Sequence, residues 1–267
     1  MGGTVTQKRR AKTGRISEDR LLDGAIRLRQ PREGYRVAID PVFLAAAVPA
    51  RGGECVLELG VGSGAAALCL AHRVSGCAVV GLERERAAAA LAARNAALNG
   101  MAERVAIVVG DLRDPPDAIK MQRFDHVMAN PPYLPRARAD RRQATARDVS
   151  HVEGGADLRA WVDGALRRVR PRGTVTFIHR ADRLDALLGA LEGRAGGIVV
   201  VPLWPKAGVA AKRVIVRARK GVATPLLLTA GLVLHGPDGT FTPAAERILR
   251  EGAALEAGSI GSLRRPD

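Results

Sequence analysis

Short apolar runs alternate with helix-period segments through most of the chain. CVLELG (55–60), AVVGLE (78–83), RVAIVVG (104–110), FDHVMAN (124–130), GTVTFIH (173–179), GIVVVPLW (197–204) and AKRVIVRAR (211–219) have the length and β-branched content of buried strands. Between them lie SGAAALCLAHRV (63–74), an alanine-rich stretch from Arg84 to Leu98, a segment around Leu158 to Val169, and DRLDALLGALEG (182–193), all patterned as helices. Asn99-Gly100 supplies a left-handed cap for the alanine-rich helix. Strands that alternate with helices and close on a hairpin predict an α/β fold, a doubly wound and mostly parallel seven-stranded sheet whose last strand is antiparallel. Upstream, GAIRLRQPREGYRVAID (24–40) reads as a hairpin turning at PREG, and Asp40-Pro41 opens a short apolar helix through Val48. Downstream of 220, Thr242-Pro243 starts a final helix. The expected divisions are a flexible basic tail (1–20), an N-terminal hairpin and helix packed on the core (21–50), the core (51–220) and a C-terminal extension (221–267).

Composition adds a possible partner to that outline. The 267 residues carry 42 lysines and arginines against 27 acids, a formal charge of +15, which suits a polyanion such as nucleic acid. A biased codon supply would give the same arginine excess in a chain this rich in alanine and glycine, so the placement of the charges matters more than their sum. Lys8, Arg9, Arg10, Lys12 and Arg15 fall in the N-terminal tail, Arg136, Arg138, Arg141, Arg142 and Arg147 follow the fourth core strand, and Lys212, Arg213, Arg217, Arg219 and Lys220 lie in a half-buried strand. Only the second cluster is expected to adjoin the active site. Cys55, Cys69 and Cys77 form no CxxC pair and share no ligand spacing with the five histidines, which argues against a metal site and a disulfide scaffold and for a reducing cytoplasm. No apolar stretch reaches the roughly 18 residues of a membrane span, so a soluble protein, a monomer or weak dimer, is expected.

The candidate chemistry sits at strand ends. Glu58-Leu59-Gly60-Val61-Gly62-Ser63-Gly64 is a glycine-rich turn between a strand and a helix, where a ligand can lie against bare backbone. The turn also satisfies the relaxed G-x-G-x-x-G/A dinucleotide pattern, with Glu83 where a ribose-binding acid would stand. Glu58, two residues before the first glycine, would repel a pyrophosphate but suits a cofactor bearing an α-amino group. Asp111 closes the third core strand, where a carboxylate can accept a hydrogen bond from an adenine amine. At the end of the fourth, Asn130-Pro131-Pro132-Tyr133 must stop the strand, because proline cannot continue a central ladder and stiffens the residue before it.

This set resembles the S-adenosylmethionine site of class I methyltransferases. The resemblance implies a Rossmann-like methyltransferase core in which Glu58 and Gly60 border the methionine part, Gly62 and Gly64 also bind the cofactor, Glu83 holds the ribose hydroxyls, and Asp111 with the Leu112 backbone meets adenine. Asn130-Pro131-Pro132-Tyr133 is similar to the (Asp/Asn)-Pro-Pro-(Tyr/Phe) motif of enzymes that methylate planar exocyclic or amide nitrogens. Such a nitrogen is a poor nucleophile because its lone pair is delocalised. Asn130 Oδ1 and the Pro131 carbonyl, each accepting one N–H, would draw it toward tetrahedral geometry, and Tyr133 would stack the ring. Beyond these motifs, GYRVAIDPVFLAA, ELGVGSGAAAL, NAALNG, NPPYLP and PLWPKAGVAAKRVIVRARKG resemble the bacterial adenine-N6 methyltransferases of a valine tRNA, over about residues 18 to 250. That resemblance implies tRNA as partner, Arg36 and Asp40 near the cofactor, and Arg136, Arg138, Arg141 and Arg142 on the RNA. The alternatives are a protein-glutamine methyltransferase of release-factor type, an rRNA base N-methyltransferase, and a non-catalytic cofactor-binding or RNA-binding module.

Overall fold

The computed structural model describes residues 16–32, 39–132 and 158–256. Its central sheet is built from β3 (Cys55–Leu59), β4 (Ala78–Glu83), β5 (Val105–Val109), β6 (Phe124–Ala129), β7 (Val169–Arg180), β8 (Ala195–Trp204) and β9 (Arg213–Lys220). They lie in the order β8-β9-β7-β6-β3-β4-β5, parallel except for β9, which runs antiparallel between β7 and β8. Two further two-residue strands, β10 (Leu227–Leu228) and β11 (Leu232–Val233), pair with β8 and extend the expected seven strands to nine. Burial explains the sequence pattern. The sheet is covered on both faces, so Leu57, Leu59, Val127 and Phe177 serve one core while Val56, Met128 and Ile178 serve the other.

Helices α1 (Asp40–Ala47), α2 (Ala65–Arg73), α3 (Arg86–Leu98) and α7 (Pro243–Glu251) cover one face; α4 (Asp117–Lys120), α5 (Leu158–Arg168) and α6 (Leu184–Leu191) cover the other. Among the described residues no helix is long and apolar enough to cross a membrane. α3 ends as its sequence predicts, with Gly100 at φ 66 and the Gly100 and Met101 amides donating to the Ala97 and Ala96 carbonyls. Thr242 caps α7, its Oγ1 accepting from the Ala245 amide at 3.3 Å.

An N-terminal antiparallel hairpin is present: β2 (Ile26–Pro31) returns against β1 (Ile16–Leu21) through a turn at Leu22–Ala25, while the turn expected at PREG and its return strand run into residues 33–38, outside the described residues. The alternation of Ile26 and Leu28 was legible, but the partner strand, ISEDRL, shows little apolar pattern because most of it is solvated. Two asparagines of α3 dock this hairpin on the core. Asn95 Oδ1 accepts from the Arg29 amide at 2.9 Å, and its Nδ2 donates to the Arg29 and Ser63 carbonyls. One helical turn on, Asn99 accepts from and donates to Arg27 in the same way, each at 2.8 Å. The i, i+4 spacing on the helix matches the i, i+2 spacing of one strand face.

Candidate functional site

β3 ends at Leu59 and β6 at Ala129, partners in register, so Gly60 and Asn130 leave the sheet side by side. The strand order reverses here, β4 and β5 continuing to one side of β3 and β6 and β7 to the other, which makes a ligand crevice at the carboxyl ends. Gly60, Gly62 and Gly64 have φ of 70, 55 and 92, conformations that side chains disfavour. The Gly60 and Val61 amides both donate to the Leu82 carbonyl, at 2.8 and 3.1 Å, and hold the loop against β4. A Cβ at Gly62 would meet nothing within 4 Å, so the loop borders open space there.

Three carboxylates line the successive strand ends. Glu83 is fixed by two amides, its Oε2 accepting from Gly62 and its Oε1 from Glu85, both at 2.9 Å, which leaves lone pairs on each oxygen for a ligand hydroxyl. Glu58 is only 4 % exposed, and its Oε2 has no hydrogen-bond partner among the described residues. Burial pushes its carboxyl well above the usual range; the Ala67 amide opposes that shift and the Glu83 charge adds to it. A buried acceptor left unsatisfied costs about 1–3 kcal/mol, a penalty that a bound cation would remove. Past β5, Asp111 accepts from the Arg113 amide at 2.9 Å and is half-buried, as is Leu112.

Trp161 on α5 closes the far side of the glycine loop and was not singled out by its sequence context. A Cβ at Gly60 would lie 2.6 Å from its ring, which is 8 % exposed and whose Nε1 has no partner. The same helix touches the third carboxylate's neighbour, since a Cβ at Gly164 would meet Leu112 at 3.4 Å. In the sequence Trp161 is one apolar position on an amphipathic helix, and only the tertiary contact marks it.

At the end of β6, Asn130 and Pro132 are half-buried and Pro131 is buried. The structure thus gathers Glu58, Gly60, Gly62, Gly64, Glu83, Asn130, Pro131 and Pro132 at adjoining strand ends, with Asp111 and Leu112 one strand further. Asp40 is buried at the start of α1 and accepts from Arg213 Nε at 2.9 Å, at the carboxyl end of β7. Tyr133, Arg36, Arg136, Arg138, Arg141 and Arg142 lie outside the described residues. One expectation is overturned. Because β9 is antiparallel, Arg213 pairs with Arg180 at the carboxyl ends of the other strands, so the third basic cluster also begins at the edge where Asn130 stands. His179 beside them adds no charge: burial first, then the Arg183 and Arg213 charges, lower its pKa to about 4.

Residues 56–155 match the model of a methyltransferase domain. The tRNA1(Val) (adenine(37)-N6)-methyltransferase of Aeromonas hydrophila is 27 % identical over 213 residues, 79 % of this chain and 87 % of that one. The release factor glutamine methyltransferase of Geobacter sulfurreducens is 36 % identical over 141 residues, half of this chain and 48 % of that one. Among solved structures, an Agrobacterium tumefaciens chain described as a predicted O-methyltransferase superposes with a TM-score of 0.68 at 26 % identity, over 81 % of this chain and 98 % of that one. Fold and likenesses agree: the chain has the fold of class I methyltransferases, takes S-adenosylmethionine as cofactor, and resembles the valine-tRNA adenine-N6 enzymes. The residues present fit that cofactor, an unpartnered buried carboxylate oxygen suiting its α-ammonium group and a side-chain-free loop leaving room for its body.

Proposed function

We propose that this S-adenosylmethionine-dependent methyltransferase modifies the exocyclic N6 amine of an adenine in tRNA. The observation that carries the reading is the register that sets Asn130 beside Gly60, with a buried proline behind it. When bound, the cofactor supplies an electrophilic methyl on a sulfonium sulfur. Glu58 meets its ammonium, Glu83 its ribose hydroxyls, and Asp111 with Leu112 its adenine. Asn130 Oδ1 and the Pro131 carbonyl each accept one N–H of the target amine, turning its lone pair out of the ring plane. Both acceptors gain strength as positive charge develops on nitrogen, so they favour the transition state over the ground state. The methylated nitrogen then loses a proton to water, and no strong base is required.

The extent of the likeness favours tRNA, since the match to the tRNA1(Val) enzyme runs along 87 % of that protein. The higher identity to the release factor enzyme is confined to about half of each chain and keeps glutamine as the second reading, because a side-chain amide presents the same planar NH2. Incubation with labelled cofactor and bulk unmodified tRNA, then nucleoside mass analysis, is expected to give N6-methyladenosine. Label in a release factor and none in any RNA would overturn the proposal.

A further inference from the structure

The carboxyl edge of the sheet continues past Asn130 into a basic rim. β7 turns there into α6, and β8 turns back into β9 through residues 205–212, which carry Lys206 and Lys212 on their two arms, both exposed. The two turns are tied together, the Ala181 amide donating to the Lys212 carbonyl at 3.1 Å and Arg180 pairing with Arg213 across the strands. The arginines at the foot are committed: Arg213 bonds Asp40, and Arg180 forms an ion pair with Asp182. The lysines are not. Lys206 donates only a long bond of 3.4 Å to the Pro237 carbonyl, and neither lysine lies within 4.0 Å of a carboxylate among the described residues.

We infer that this rim, with Lys206 and Lys212 as its phosphate contacts, holds the RNA backbone that flanks the base delivered to Asn130. The inference rests on the tRNA reading above. Its geometry supports a polymer over a free nucleoside. β6, β7 and β9 are successive strands about 4.8 Å apart, so the rim lies roughly 10 Å from the end of β6, the length of about three stacked nucleotides. Paired arginines fix the foot of the hairpin, while unpaired lysines above it exchange counterions for phosphates without first breaking an ion pair. A neutral glutamine side chain, by contrast, demands no basic surface beside it.

The test is tRNA binding by the full chain across a salt series, with Lys206 and Lys212 both changed to Ala and Arg51→Glu, an exposed site at the opposite edge, as control. The double variant is expected to bind tRNA about tenfold more weakly at 0.1 M salt. Its slope of log affinity against log salt should flatten by about 1.4, two contacts at 0.7 each. Cofactor affinity should stay unchanged. Wild-type affinity and slope in the double variant, or an equal loss in Arg51→Glu, would overturn the inference. Failure of the wild type to label any RNA overturns the substrate reading instead, and the two failures are separate results.

Discussion

At the amino ends of the parallel strands, polar groups pair with one another in a set that runs from buried His126 and Thr174 to exposed Arg170. His126 bonds Thr174 Oγ1 at 2.7 Å and Glu54 Oε2 at 2.9 Å, Asp125 accepts from the Cys55 amide at 2.7 Å, and Arg170 pairs with Asp125 and lies 3.8 Å from Glu54. At the carboxyl ends of the same strands, Glu58 Oε2 and Trp161 Nε1 are buried with no partner among the described residues, and three glycines hold conformations that other residues disfavour. The strands are the same at both ends, so the difference lies in the residues and in what each end meets. Unmet hydrogen bonds persist only where something offsets their cost, and here they flank the crevice proposed for S-adenosylmethionine. Thr176 and Arg73 are exceptions, the Thr176 hydroxyl and Arg73 Nε being buried with no hydrogen-bond partner among the described residues, and nothing in the structure explains them.

Removing the acceptor beside the crevice should have the largest effect. Asn130→Ala is expected to lower kcat by about 100-fold or more, with cofactor affinity by calorimetry and thermal unfolding both near wild type. Loss of cofactor binding together with kcat would make Asn130 part of the cofactor cradle rather than a contact to the amine.

The backbone contrast comes next. Gly60→Ala meets both the left-handed backbone and the Trp161 ring, and should destabilise by about 3 kcal/mol. Gly53→Ala, at the amino end, has φ 84 but nothing within 4 Å of its Cβ, and should cost only about 1 kcal/mol. Equal losses in denaturant unfolding would mean that the Trp161 contact relaxes freely and that the two turns differ only in place.

Periodicity and turn residues made the seven core strands, their helices and the strand-end acids legible, because each is specified by residues close in sequence. Contacts across the fold were hidden. Lys212 and Arg213 reach the active edge only because β9 inserts antiparallel between β7 and β8, and apolar runs alone do not state strand order. Trp161 meets Gly60 across a hundred residues, and Asn95 meets Arg29 across 66. The β1 strand was hidden for a related reason: the solvated ISEDRL segment carries little alternation, and its pairing is dictated by β2.

The two ends should also respond to pH with opposite sign. Burial would raise the Glu54 carboxyl, but the His126 hydrogen bond, the Arg51 amide and the Arg170 charge outweigh it and hold it below the usual value. The folded state therefore binds this proton less tightly than the unfolded chain, whose glutamates titrate near about 4.3, and the stabilisation is lost as pH falls through the folded value. Glu58 is the reverse. Its raised folded value means that stability declines as pH climbs from the unfolded value toward the folded one. Denaturant unfolding of the cofactor-free protein from about pH 3 to pH 8 should show Glu54→Gln less stable than wild type at neutral pH by about 1.5 kcal/mol, the loss vanishing in acid. Glu58→Gln should be more stable than wild type at neutral pH, with the advantage shrinking as the pH falls, while binding the cofactor more weakly. Slopes of the same sign in both variants would show that the unpartnered Glu58 oxygen finds a partner in solution, and the contrast between the two ends would then be one of geometry alone.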